Sequence, residues 1–213
     1  MSPIRLHRHT QGVSTMSKPL VLVFGSSGKT GTPVVGQLLD RGFPVRAVVH
    51  QLDDRSERLQ ALGAEIFVGD FLDLVSVRDA MRGVKRVYFC FPTQNDRLIE
   101  ATTNIAIAAR DEGVEALVNM SQMPVREGAR SPLTHHHWLA DRIFDWAGVG
   151  ASHIRPTFFA ENLYCLNGKS ISAEGKMYLP FGEGKHAPIA AEDIARVVAG
   201  ILEDPEPHVG RHY

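Results

Sequence analysis

The chain has 213 residues, with 23 basic and 24 acidic side chains and a formal net charge of −1. Apolar residues make up 44% and charged residues 22%, the balance of a soluble globular protein able to bury its own core, which excludes disorder, collagen and coiled coil. No apolar run approaches the ~18–20 residues that span a bilayer, and the lack of a basic excess argues against direct nucleic-acid binding.

The two cysteines, Cys90 and Cys165, form no C-x-x-C pair. That fits a reducing, cytoplasmic setting without a disulfide scaffold or a zinc site. Residues 1–17 carry no apolar signal-peptide core and read as a disordered N-terminal extension, with Met16 as an alternative start.

From residue 20 the pattern alternates. LVLVF (20–24) is a β-rich run followed by a glycine-rich turn, and Val34, Val35, Leu38 and Leu39 then repeat at helical spacing until Gly42. VRAVV (45–49), AEIFVG (64–69), VKRVYFC (84–90), EALVNM (115–120) and ASHIRP (151–156) read as further strands. Helices are expected between them over 55–62, about 73–82, 95–112 and about 134–147. Strands alternating with helices imply right-handed βαβ crossovers and a doubly wound parallel α/β sheet of Rossmann-like type. After residue 156 the rhythm breaks. Residues 160–190 are rich in Gly, Asn and Ser and read as irregular, and AEDIARVVAGILE (191–203) returns as an amphipathic helix stopped by Asp204-Pro205. The expected division is a dinucleotide-binding domain over 18–156 and a small substrate-side lobe over 157–213, possible truncation of which is left open.

The strongest chemical signal is VFGSSGKTGTPVV, with Gly25, Gly28 and Gly31 spaced G-x-x-G-x-x-G between the first strand and the first helix. Glycines suit a backbone that must turn tightly and approach a pyrophosphate, and the helix N-terminus offers free N–H groups to it. Ser27, Lys29 and Thr30 lie in the same loop, and Thr30 or Thr32 is expected to cap the helix. A P-loop would need glycine at position 23, which is Val23, so nucleoside triphosphate hydrolysis is not expected. Strand two ends in His50, with Arg46, Arg55 and Arg58 nearby, where an NAD site usually places an acid. Cations at that point attract a 2′-phosphate, so NADP(H) is expected over NAD(H), a preference that Asp53 and Asp54 moderate.

Taken together these residues resemble the NmrA-like group of atypical short-chain dehydrogenase/reductases, over about residues 18–213. GSSGKTG resembles the family's cofactor loop, and Val68-Gly69-Asp70 its acidic turn after strand three. Phe91-Pro92 resembles the end of its strand four, and Asn119-Met120-Ser121 the end of strand five. His153 to Asn162 (HIRPTFFAEN) resembles its run after strand six, and Pro188 to Ala195 (PIAAEDIA) its later helix start. The resemblance implies a cofactor lying across the carboxyl ends of the strands, near Asp70, Phe71, Phe91, Pro92 and Pro156. It also implies NAD(P)H-dependent reduction of quinones and related compounds, or else redox sensing without turnover. No tyrosine in the chain is followed by lysine four residues later, so the Tyr-x-x-x-Lys proton relay of ordinary members is absent.

In its place His135-His136-His137 opens the helix around 134–147. His137 matches the position where relatives place a group facing the cofactor, where it would bond the nicotinamide ribose or donate a proton near neutral pH. Asp141, four residues on, shares its helical face and is expected to orient it. Ser121 would bond the nicotinamide or a substrate carbonyl. Cys165 has no basic neighbour in sequence and reads as an apolar filler. Adjacent histidines point in different directions, so no metal site is expected. The function expected is an NAD(P)H-dependent oxidoreductase acting on a quinone-like or carbonyl small molecule. The alternative is a catalytically inactive dinucleotide sensor that regulates a protein partner. The sequence also allows a homodimer.

Overall fold

A computed structural model describes residues 18–92, 96–179 and 182–213; the extension expected over 1–17 lies outside them. Six strands form one parallel sheet: β1 (Val21–Val23), β2 (Val45–Val49), β3 (Glu65–Val68), β4 (Arg86–Phe89), β5 (Ala116–Met120) and β6 (Ala151–Ile154). Their order across the sheet is β3-β2-β1-β4-β5-β6. The order reverses between β1 and β4, so the crevice where ligands enter such folds opens at the carboxyl end of β1. Beyond β6 the chain end runs alongside, with the His153 N–H donating to the Arg211 carbonyl and the Tyr213 N–H to that of His153, both at 2.9 Å.

The inner strands are largely apolar on both faces because helices cover both, whereas the edge strand β3 is only half-buried. Leu22 and Phe24 face α3 (Leu74–Met81), α4 (Leu98–Asp111) and α5 (Pro132–Ala147). Val21 and Val23 face α1 (Gly31–Asp40), α2 (Asp54–Ala61) and α7 (Ala191–Glu203). Helix α7, counted with the second lobe on sequence grounds, thus packs over the sheet, with Ile194, Val198 and Leu202 wholly or nearly wholly buried.

The strands and the six expected helices fall within a few residues of their predicted bounds. The segment 160–190 does not follow its prediction: α6 (Glu161–Glu174) occupies the stretch read as irregular. Only Asn167 of its fourteen residues is buried, so it carries little of the periodicity that reveals a helix. It is tied to the sheet side by a short bridge between Phe159 and Ile189. The Glu161 carboxylate also accepts the Ala191 N–H at 2.9 Å, capping α7 from outside, since the N-cap residue Ala190 has no side chain that can do so. No helix of the described residues is long and apolar enough to cross a membrane.

Candidate functional site

The carboxyl ends of the strands build one continuous ledge. From one side to the other it presents Gly69-Asp70 after β3, His50 after β2, the glycine loop after β1, Cys90-Phe91-Pro92 after β4, Ser121 after β5 and Arg155-Pro156 after β6. At its centre Gly25 takes φ +68°, and a Cβ there would lie 2.6 Å from the Cys90 carbonyl oxygen. A Cβ on Gly31 would lie 2.0 Å from the Gly25 carbonyl oxygen. These two glycines are therefore required by the way the loop folds back on itself. Gly28 is exposed and its N–H closes the turn on Gly25.

Neither threonine caps α1 as expected. Thr30 is the N-cap residue without a side-chain bond to the helix. Its hydroxyl faces inward instead, accepting from the Tyr88 hydroxyl at 2.8 Å and lying 3.7 Å from Cys90 Sγ. Thr32 donates to the Ser26 carbonyl. The first turn of α1 also holds no acidic residue. No side chain caps this helix N-terminus at the switch point, although the Thr32 N–H donates to the Gly28 carbonyl at 3.1 Å and Pro33 has no N–H to offer.

On the β2–β3 side two of the arginines near the strand end are engaged with carboxylates. Arg46 is turned away, bonding Glu65 and the carbonyls of Ala80 and Arg82. Arg55 is held by Asp53, with both its Nε (2.9 Å) and its Nη2 (2.6 Å) on one carboxylate oxygen. The other oxygen of Asp53 accepts the Arg55 and Ser56 N–H groups in a capping box that starts α2. The Arg55 guanidinium holds the Asp53 carboxyl below its ordinary range, with help from the Ser56 N–H. His50 is exposed at the strand end. Asp70 accepts the Leu72 N–H through Oδ1 at 2.8 Å, and Phe71 packs on Phe91 with ring centres 5.2 Å apart.

On the β5–β6 side the ledge drops into a cleft of about 540 Å³, within the ordinary range for small-molecule pockets. Met120, Met123, Phe91, Phe158 and Phe159 supply apolar walls, and Lys29, Ser121, Gln122, His137 and Asn162 the polar groups. Ser121 and His137 are each only 4% exposed. The Ser121 hydroxyl, the Gln122 amide nitrogen and His137 Nδ1 are all buried without a hydrogen-bond partner. Ser121 is near enough to Asp141 to favour that carboxylate's charge, but not in bonding geometry. Burial pushes the His137 imidazole below its ordinary pKa, outweighing the opposite pull of Asp141. Burial thus favours the neutral imidazole of His137, the form suited to the hydrogen-bonding role expected of it.

Asp141 does not orient His137. Its carboxylate accepts from Asn119 Nδ2 (2.9 Å) and Arg155 Nη2 (2.8 Å) and lies 3.2 Å from His153 Nδ1. His153 Nε2 in turn lies 3.0 Å from Asp145, and the His212 ring stacks on His153 with centres 4.9 Å apart. Burial opposes charge on both His153 and Asp141. The attraction between them wins, so the histidine pKa is raised and the carboxyl pKa lowered.

Of the predicted site residues, Lys29, Phe91, Ser121, His137 and Pro156 line the cleft. Gly25, Ser27, Gly28, Thr30, Gly31, His50, Arg55, Asp70, Phe71 and Pro92 lie along the ledge outside it. Sequence reasoning missed Gln122 and Asn162. It also missed that Lys29 Nζ donates to Asn162 Oδ1 at 2.8 Å and sits 3.5 Å from Cys165 Sγ, so the cysteine has a basic neighbour after all, across the fold. Among the described residues no group of three or more metal-ligating side chains comes together.

Comparison with known proteins agrees with this fold. The model of the NmrA-like family matches residues 17–212. An NAD(P)H azoreductase of Xenophilus azovorans is 30% identical over 190 residues, covering 87% of this chain and 64% of the relative. A (4-alkanoyl-5-oxo-2,5-dihydrofuran-3-yl)methyl phosphate reductase of Streptomyces griseus is 31% identical over 198 residues, covering 91% and 66%. The chain thus spans slightly less than two thirds of the length of either. The structure of Citrobacter sp. triphenylmethane reductase complexed with NADP(H) superposes with a TM-score of 0.77 at 20% identity, covering 92% of this chain and 68% of that one.

Proposed function

The chain belongs to the NmrA-like family, and on that premise we propose that it is an NAD(P)H-dependent oxidoreductase that reduces a quinone-like or carbonyl small molecule. The observation that carries the reading is the glycine loop and the uncapped N-terminus of α1 at the switch point, continuous with a cleft lined by Lys29, Ser121 and His137. Both features fit a dinucleotide: the N–H groups of a glycine loop suit a pyrophosphate, and a cleft with a few polar groups among apolar walls suits a nicotinamide and an acceptor. The reductase activities of the Xenophilus azovorans and Streptomyces griseus relatives support it further.

The nicotinamide, when bound, supplies the hydride. The protein's part is to place and enclose it. The glycine loop and the first N–H groups of α1 bind the phosphates, with the Lys29 ammonium beside them. Ser121 and His137 orient the ring end or the acceptor through hydrogen bonds. Phe91, Pro156, Phe158 and Phe159 exclude water from the same cleft. A quinone can take its proton from solvent, so neither an acidic His137 nor a Tyr–Lys pair is required.

NADP(H) is favoured over NAD(H) because the nearby carboxylate of Asp53 is engaged with Arg55 and with the α2 cap, leaving His50 and the outer face of Arg55 to meet a 2′-phosphate. Arg55→Ala should weaken NADPH binding several-fold and leave NADH binding unchanged, as read by calorimetry. Equal losses for both would remove Arg55 from phosphate recognition.

The test of the reading is a calorimetric titration with NADPH, NADP⁺ and NADH, followed by loss of reduced-nicotinamide absorbance with a quinone acceptor. Binding with turnover supports the reductase. Binding without turnover across an acceptor series favours the sensor, a reading that the neutral His137 also suits. No binding of any dinucleotide rejects both.

A further inference from the structure

Among the described residues Tyr88 is the largest wholly buried side chain. It lies in β4, in register with Val23 of β1 on one side and Val118 of β5 on the other. A phenylalanine fills such a position without a polar atom, as Phe24 and Phe89 do on the other face of the sheet. A buried hydroxyl is costly unless it is bonded, so this one needs a use. It donates to Thr30 Oγ1 in the glycine loop at 2.8 Å. Thr30 is itself only 3% exposed, so what its side chain fixes is backbone. The Thr30 carbonyl accepts the Val34 N–H at 3.1 Å and so opens the first turn of α1. The loop has a second anchor in Ser26, whose hydroxyl donates to the Val48 carbonyl of β2 at 2.7 Å. Two buried hydroxyls thus tie the loop to the strands on either side of β1, and the exposed Gly28 and Lys29 lie between them.

We propose that Tyr88 is a positioning residue for dinucleotide binding: through Thr30, its hydroxyl holds the backbone from Gly28 to Gly31 in the shape that meets the pyrophosphate. This rests on the reductase reading above and adds to it a residue that touches neither cofactor nor substrate. Without the Tyr88 hydroxyl the Ser26 anchor remains, so the loop stays attached on the β2 side while its α1 end is free to shift. The ring still fills the core. The loss therefore falls mainly on binding, and on every ligand that carries the pyrophosphate.

The test reads binding, so that it stands apart from turnover. Tyr88→Phe, Thr30→Val and the double variant are titrated by calorimetry with NADPH and with 2′-phospho-ADP-ribose, which keeps the pyrophosphate and lacks the nicotinamide. Melting temperatures are measured for all. The control is Thr102→Val, which deletes a buried hydroxyl bonded to the Leu98 carbonyl at 2.7 Å, within α4. Tyr88→Phe and Thr30→Val should each weaken both ligands about tenfold, and the double variant no further, because the two changes remove one shared bond. Thr30→Ser keeps the hydroxyl and should lose much less than Thr30→Val. Thr102→Val should lower the melting temperature by a similar amount and bind as wild type does. Four results each overturn the proposal: Tyr88→Phe binding NADPH as wild type does, losses that add in the double variant, a loss for NADPH without one for 2′-phospho-ADP-ribose, or an equal loss in Thr102→Val. Failure of wild type to bind any dinucleotide would instead strike the reductase reading. Hydrogen exchange in the free chain then still decides whether Tyr88 holds the loop. Amides of residues 25–32 should exchange faster in Tyr88→Phe than in wild type, with those of 98–111 unchanged, and equal rates over 25–32 overturn that role.

Discussion

Gly31→Ala is expected to destabilise the protein by about 3 kcal/mol and to abolish dinucleotide binding. Its Cβ would lie 2.0 Å from the Gly25 carbonyl oxygen and 2.8 Å from the Ser26 Cα. Both are backbone atoms, so no side chain can swing aside, and α1 would have to move off β1. Gly25 lies against the Cys90 carbonyl, where an added Cβ would meet the oxygen at 2.6 Å, so it has little room to retreat. The control is Gly36→Ala, in the same helix, where an added Cβ meets nothing within 4 Å. There the gain in helix propensity should stabilise by about 0.5–1 kcal/mol. Chemical denaturation of the three proteins checks the pair. Equal stability of Gly31→Ala and wild type would mean that the loop does not fold back as described.

Asp141→Ala is expected to cost about 3–5 kcal/mol, the range for a buried pair that loses one partner. Asp141 is fully buried and holds Arg155 and Asn119 while facing His153. Its removal leaves two positive groups facing one another with only Asp145 to offset them. The pH dependence follows in sign from the same contacts. The folded pKa of His153 lies above the ordinary 6.5, so its stabilising charge is fully present below 6.5 and is lost as pH rises through the folded value. Asp141 acts on the acid side: its folded pKa lies below 3.8, so its contribution is present above 3.8 and is lost as pH falls through the folded value. His137 and His212, both lowered by burial, favour stability at higher pH and oppose the first trend. The clean measurement is therefore the difference in unfolding free energy between wild type and His153→Gln. It should shrink as pH rises above 6.5, and a difference that stays flat would show that His153 is neutral in the fold.

The sheet was legible because each strand is a short apolar run bounded by glycine or proline, and a strand buried on both faces needs no subtler code. Helix α6 was not, because Asn, Gly and Ser interrupt ENLYCLNGKSISAE and the fold buries only one of its residues. Its visible signals were the acidic Glu161 at its start and Gly175, which ends it with φ +65°. At the site, the loop and the position of His137 followed from order along the chain. What escaped were partnerships between elements. Asp141 stands four residues from His137 on one helix face, yet Arg155 and His153 arrive from β6 and hold its carboxylate. Cys165 has no basic neighbour in sequence, yet Lys29 reaches it from more than a hundred residues away. Thr30 looks like a cap until Tyr88, buried beneath it, offers a hydroxyl.

The chain end that runs beside β6 has a consequence for self-association. The His153 N–H is bonded to Arg211, the Arg155 N–H to Tyr213, and the Tyr213 N–H returns to His153. Hydrogen-bonding groups that a border strand would otherwise offer to a neighbouring molecule are already engaged. A second copy cannot continue the sheet through β6 without first stripping residues 210–213 away, and doing so would also uncover the ring of His153. Edge-to-edge growth directly on β6 is therefore blocked, its border being occupied from within the same molecule.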